Sequence, residues 1–291
     1  MRHRTRSLKH RPRNFKPGKG PLSSRGLLEL SLFSTFIFVF TALLLQFLLN
    51  LLTALFLKAF SITFLYSLFA INYLSESTTN WPDYQVFLIF ATGPILITAL
   101  GFLLLFVLRR LTPVGWKTKL VLTWMSFLMV NALPCGMIAG VFFYEGFGVA
   151  FHWLAGNDMV RGLIALLVLM GLIVFSRFWQ RMFLKTAYTS VFLDSLEHQK
   201  TFIKNIFFKP WMFGLVILLL YNWPFSNFFW RAYLLSFGYM ALALFDNNTR
   251  MHRKPHIRKS DKKIFTTRDQ PLWFAHLLAL IWVADYIIRN F

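Results

Sequence analysis

Apolar residues in this chain fall into long blocks at about 27–74, 86–108, 120–144, 160–176, 207–221, 228–245 and 272–288. Short polar stretches separate them. Several blocks reach the roughly 20 residues that a helix needs to cross a ~30 Å hydrocarbon core. A backbone at that depth must satisfy its own hydrogen bonds, so each block is read as a helix. The pattern predicts an all-α polytopic membrane protein with six or seven transmembrane helices. The first block is too long for one span. It predicts one long helix followed by a short segment over 59–74, with Lys58 snorkelling to an interface between them.

Charge gives the spans a direction. The 291 residues are 57% hydrophobic, yet 31 Lys and Arg face only 11 Asp and Glu, a net +20. The basic residues gather in 1–25, 109–119, 177–209 and 246–268, and the stretches 75–85, 145–158 and 222–227 between them are acidic or neutral. Seven spans with a cytoplasmic N-terminus satisfy every loop under the positive-inside rule. An extra crossing at 59–74 would invert all that follows, so that segment is expected to be re-entrant or interfacial. Basic residues confined to loops and tails point to a bilayer with anionic headgroups as partner, and to no specific nucleic acid.

The organisation expected is a disordered basic cytoplasmic tail (1–25), a membrane core of four spans (26–176), a basic amphipathic segment (177–209), and a C-terminal hairpin with the last span (210–291). The tail holds nine Lys or Arg and no acid. That composition also resembles a mitochondrial transit peptide, but no apolar face repeats at helical spacing. In the basic segment, Arg177, Arg181 and Lys185 recur at i, i+4 and i+8, interleaved with Trp179, Phe183, Phe192 and Phe208. That spacing predicts a helix lying in the headgroup region, with the three cations touching lipid.

Conventional catalytic chemistry is sparse. The single cysteine, Cys135, excludes an intrachain disulfide and an all-Cys metal cluster. His252 and His256 have the separation of a helical metal pair but lie in MHRKPHIRK, where Pro255 and neighbouring cations oppose it. Ser126, Ser176 and Ser236 read as interhelical hydrogen-bond donors. His276, Asp285 and Arg231 lie near span ends, where interface placement accounts for them. Glu145, His152 and Asp158 fall within fourteen residues on the non-cytoplasmic side. They form an alternative site, for an enzyme acting on lipid or a small substrate at that surface, though an ordinary acidic loop would look the same. A transporter is the weakest reading, because mid-membrane charges are few and the two halves show no repeat of interrupted helices.

The remaining anomaly is NALPCGMIAG at 131–140, a helix-breaking stretch inside an apolar block. Asn131 and Pro134, followed by Ala139-Gly140, resemble the third core helix of the site-2 proteases, which are intramembrane zinc metalloproteases. FATGPILITALGFLLLF at 90–106, with Gly93-Pro94, is similar to the start of the family's preceding core helix. QFLLNLLTA at 46–54 stands where the zinc-binding helix would be. The resemblance covers about residues 27–145 and implies a three-helix core. It also implies that the chemistry is gone. The two His positions hold Gln46 and Asn50, the catalytic Glu position holds Phe47, and the Asp position holds Ala139. Zinc catalysis needs imidazoles, a carboxylate and a general base, so no cofactor and no metal site are expected. Gln46, Asn50 and Asn131 could instead form an interhelical amide cluster. The function implied is a catalytically inactive scaffold or binder of another membrane protein or transmembrane helix, in a bacterial inner membrane.

Overall fold

A computed structural model describes residues 23–66, 71–73, 81–110, 115–221 and 228–239. The basic tail up to residue 22, the turn at 222–227, the loop at 246–268 and the last expected span lie outside the described residues. So do His252, His256, His276 and Asp285.

The described chain is helical apart from one short hairpin. Helix α1 (Ser24–Ala59) runs for 36 residues, and its N-cap Ser23 accepts from the Gly26 N–H. After Ser61, at a φ of 57°, strand β1 (Phe64–Tyr66) pairs antiparallel with β2 (Ile71–Tyr73). Aromatic and β-branched residues dominate this stretch, as the pleat favours. The described residues of the 59–74 segment thus hold two paired strands and no helix past Ala59.

Helix α2 (Asp83–Arg110) leads to α3 (Trp116–Val130), α4 (Ala132–Phe142) and the short α5 (Phe147–Ala155). Helix α6 (Asp158–Leu184) follows, then a 3₁₀ turn (Ser190–Leu193), α7 (Leu196–Ile203), a π turn (Lys204–Phe208), α8 (Lys209–Tyr221) and α9 (Phe228–Ser236). Among the described residues four helical stretches are long and apolar enough to cross a membrane: α1, α2, α6 and the continuous Leu196–Leu220. The bent pair α3–α4 makes a fifth if it counts as one span.

Two boundaries differ from the expected ones. Helix α6 continues through the basic stripe to Leu184, and the next span begins at Leu196 rather than near 207. Asn157 caps α6 by accepting from Met159 N–H, and Asp158 lies in the first turn, where the helix dipole favours an anion. The segment 177–209 is thus divided among the end of α6, the 3₁₀ turn and the start of the Leu196–Leu220 stretch. Trp179, Phe183 and Phe192 are wholly buried in the core.

That core is aromatic. Trp124 on α3 meets Phe38 of α1, Phe183 of α6 and Phe207 of the π turn at 5.0–5.1 Å between ring centroids, mostly tilted or edge-on. Such contacts supply dispersion that lipid would otherwise supply, and they favour particular geometries. At Gly101 of α2 an added Cβ would lie 2.6 Å from the Val130 backbone nitrogen. Only a glycine lets α2 and α3 cross this closely.

Candidate functional site at the α3–α4 bend

Helices α3 and α4 meet at 42°, with Asn131 between them at φ −89° and ψ 2°. The sequence dictates the bend locally. Pro134 has no N–H, and the carbonyl four residues earlier belongs to Val130, the last residue of α3. A proline in the first turn of α4 removes a donor that would lack an intrahelical partner in any case.

Side chains from other helices complete the polar accounting. The Leu133 N–H donates to Thr98 Oγ1 of α2 at 3.1 Å. The Cys135 N–H donates to the Asn131 carbonyl at 2.9 Å. Asn131 is fully buried; its Nδ2 donates to the Phe127 carbonyl at 2.6 Å, and its Oδ1 accepts from the Tyr239 hydroxyl at 3.0 Å. An amide left unbonded there would cost several kcal/mol. Cys135 is buried beside the Ser236 hydroxyl of α9. Gly140 abuts Gly148 of α5, where an added Cβ would come 3.0 Å from the Gly148 Cα.

Gln46, Phe47 and Asn50 lie on α1, with Gln46 buried. Gly93 and Pro94 are buried on α2, and Gly93 faces Leu49 and Leu52 of α1, with an added Cβ 3.7 Å from each. The stretches 46–54 and 90–106 are therefore packed together. The Asn131 amide turns to Phe127 and Tyr239 rather than to Gln46 or Asn50 of the expected amide cluster. Zinc of the kind the resemblance implies does not fit. The four positions offer two amides, a phenyl ring and the enclosed methyl of Ala139. Among the described residues no three His, Cys, Asp or Glu side chains converge as a metal site would require.

The alternative site is only partly assembled. Asp158 is solvent-facing and pairs with Arg161, itself largely buried. His152 packs edge-on to Tyr144 at 5.0 Å and hydrogen-bonds to the Gly140 backbone. Burial holds its pKa below the ordinary value, the Arg161 guanidinium adds to this, and the Gly140 contact opposes it. The folded state thus takes up a proton less readily than the unfolded chain. Stability falls as pH drops below about 6.5, the unfolded value. Glu145 Oε2 and His152 Nε2 are enclosed without a hydrogen-bond partner among the described residues.

Arg177, Arg181 and Lys185 are exposed along the last turns of α6. Thr98 and Tyr239, which complete the bend, were not foreseen. Neither carries a sequence signal, because each acts through contacts 35 and 108 residues away. Compared with protein-family models, with curated proteins and with solved structures, the chain matches none.

Proposed function

We propose that this is a catalytically inactive, site-2-protease-like integral membrane protein that binds or scaffolds another membrane protein, its partner engaging through a transmembrane helix. The observation that carries the reading is the use made of Asn131. The residue most suggestive of a site is fully buried and hydrogen-bonded within the fold, to Phe127 and Tyr239. Thr98 treats the neighbouring Leu133 N–H in the same way. The bend then shapes a helix junction, and its polar groups hold helices together without performing chemistry. The basic ends of the spans attract anionic headgroups, and charge bias favours a cytoplasmic N-terminus, in keeping with the bacterial inner membrane that this reading implies.

The test is an assay of the intact protein, purified in mild detergent, on model transmembrane substrates. No cleavage is expected, together with a membrane partner retained at fixed stoichiometry through purification. Cleavage that is abolished by Asn131→Ala would overturn the proposal.

A second reading rests on the enclosed Glu145 and His152 atoms, which favour a small-substrate or lipid enzyme at the non-cytoplasmic surface. An activity lost on joint substitution of His152 and Asp158 would support it; an unchanged activity would remove it.

A further inference from the structure

We propose that the C-terminal ends of α2 and α6 form a site for one anionic phospholipid, its phosphodiester held by Arg109, Arg181 and Lys185. The site deepens the headgroup attraction proposed above and rests on it. The Arg109 guanidinium lies over the Phe178 ring of α6, 4.9 Å from its centroid. That contact bridges two spans and fixes a cation whose stem would otherwise be free. Phe178, Arg181 and Lys185 follow at i, i+3 and i+7, so they share one side of α6. Phe175 stacks on Phe178 at 4.8 Å and stiffens the platform.

None of Arg109, Arg181 and Lys185 has a carboxylate partner among the described residues, and all three are exposed. Among the described residues these three cations therefore lack a carboxylate counter-ion, and a phosphodiester supplies one. A free phosphate would meet the same charges, but the flanks favour a lipid. Continuing the stripe back along α6, Val174, Met170 and Leu167 are exposed and wholly apolar. On α2, Phe106, Leu103 and Phe102 do the same. Acyl chains lying against these two flanks carry the headgroup to the cations. Arg110, over the Phe106 ring at 4.4 Å, marks the edge of the apolar surface.

The experiment titrates the full-length protein in detergent with dioleoylphosphatidylglycerol and follows bound lipid by native mass spectrometry. Dioleoylphosphatidylcholine serves as the zwitterionic comparison. The variant R109Q/R181Q is expected to bind phosphatidylglycerol roughly thirtyfold more weakly, at two surface charges lost. A charge-matched control, R25Q/K204Q, is expected to change by less than about threefold, because neither residue adjoins Phe178. Phe178→Leu keeps every charge and is expected to weaken binding several-fold by releasing Arg109. Melting temperatures in phosphatidylcholine bicelles confirm that each variant is folded. An equal loss in R109Q/R181Q and the control would overturn the site while leaving general headgroup attraction standing. No loss in either would overturn both. Full competition by glycerophosphate would overturn the lipid as occupant.

Discussion

Among the described residues three prolines lie within spans, Pro94, Pro134 and Pro210, and the chain treats the last two in opposite ways. Pro134 accompanies a 42° bend at which α3 stops and α4 begins. Pro210 lies in a stretch, Leu196–Leu220, that remains one span, with a π turn just before it. Lacking an N–H, Pro210 orphans the Ile206 carbonyl four residues back. Ser34 of α1 supplies the missing donor, its hydroxyl reaching that carbonyl at 2.5 Å, while Trp124 Nε1–H donates to Ser34 Oγ at 2.9 Å. A neighbouring helix thus takes over the broken bond, and the span continues. At Pro134 the neighbour supplies an acceptor, Thr98, for a helix start, and the chain turns. What a proline does at membrane depth depends on which orphaned group the adjacent helix can satisfy.

The comparison can be broken most forcefully at the foot of the bend. Gly101→Leu would drive a side chain into Val130 and is expected to cost at least about 3 kcal/mol in reversible unfolding from mixed micelles. Next comes Ser34→Ala, which strands both the Ile206 carbonyl and the Trp124 indole N–H; about 2 kcal/mol is expected. In a Pro210→Ala background the restored N–H can serve Ile206. The Ser34→Ala penalty should then fall by about 1 kcal/mol in a double-mutant cycle. Smallest are Tyr239→Phe and Thr98→Val, each expected to cost about 0.6–1 kcal/mol. If Ser34→Ala proved no worse than Thr98→Val, the two prolines would not differ in the way described.

The sequence made the spans legible through their apolar blocks and made Asn131 conspicuous as a polar residue in need of a partner. It hid where α6 ends. Cations at 177, 181 and 185 recur on one side and read as the edge of a span, although Trp179, Met182 and Phe183 keep another side apolar and buried. The hairpin at 64–73 was equally hidden, since a short apolar run fits a helix or a strand. The site's partners were not legible for a different reason. Asn131 meets Tyr239 108 residues away, and Ser34 meets Ile206 across 172. Only the folded arrangement pairs them. The near-contact of 46–54 with Gly93 was visible as an order of segments, but the partners of Asn131, Phe127 and Tyr239, were not.

We propose that the amides and hydroxyls around the bend join helices and hold no metal. Zinc content of the full-length protein, purified from membranes without chelator and measured by elemental mass spectrometry, tests it most directly. The account predicts zinc far below one per chain, unchanged by Gln46→Ala/Asn50→Ala. One tightly bound zinc per chain, lost in that double variant, would contradict it.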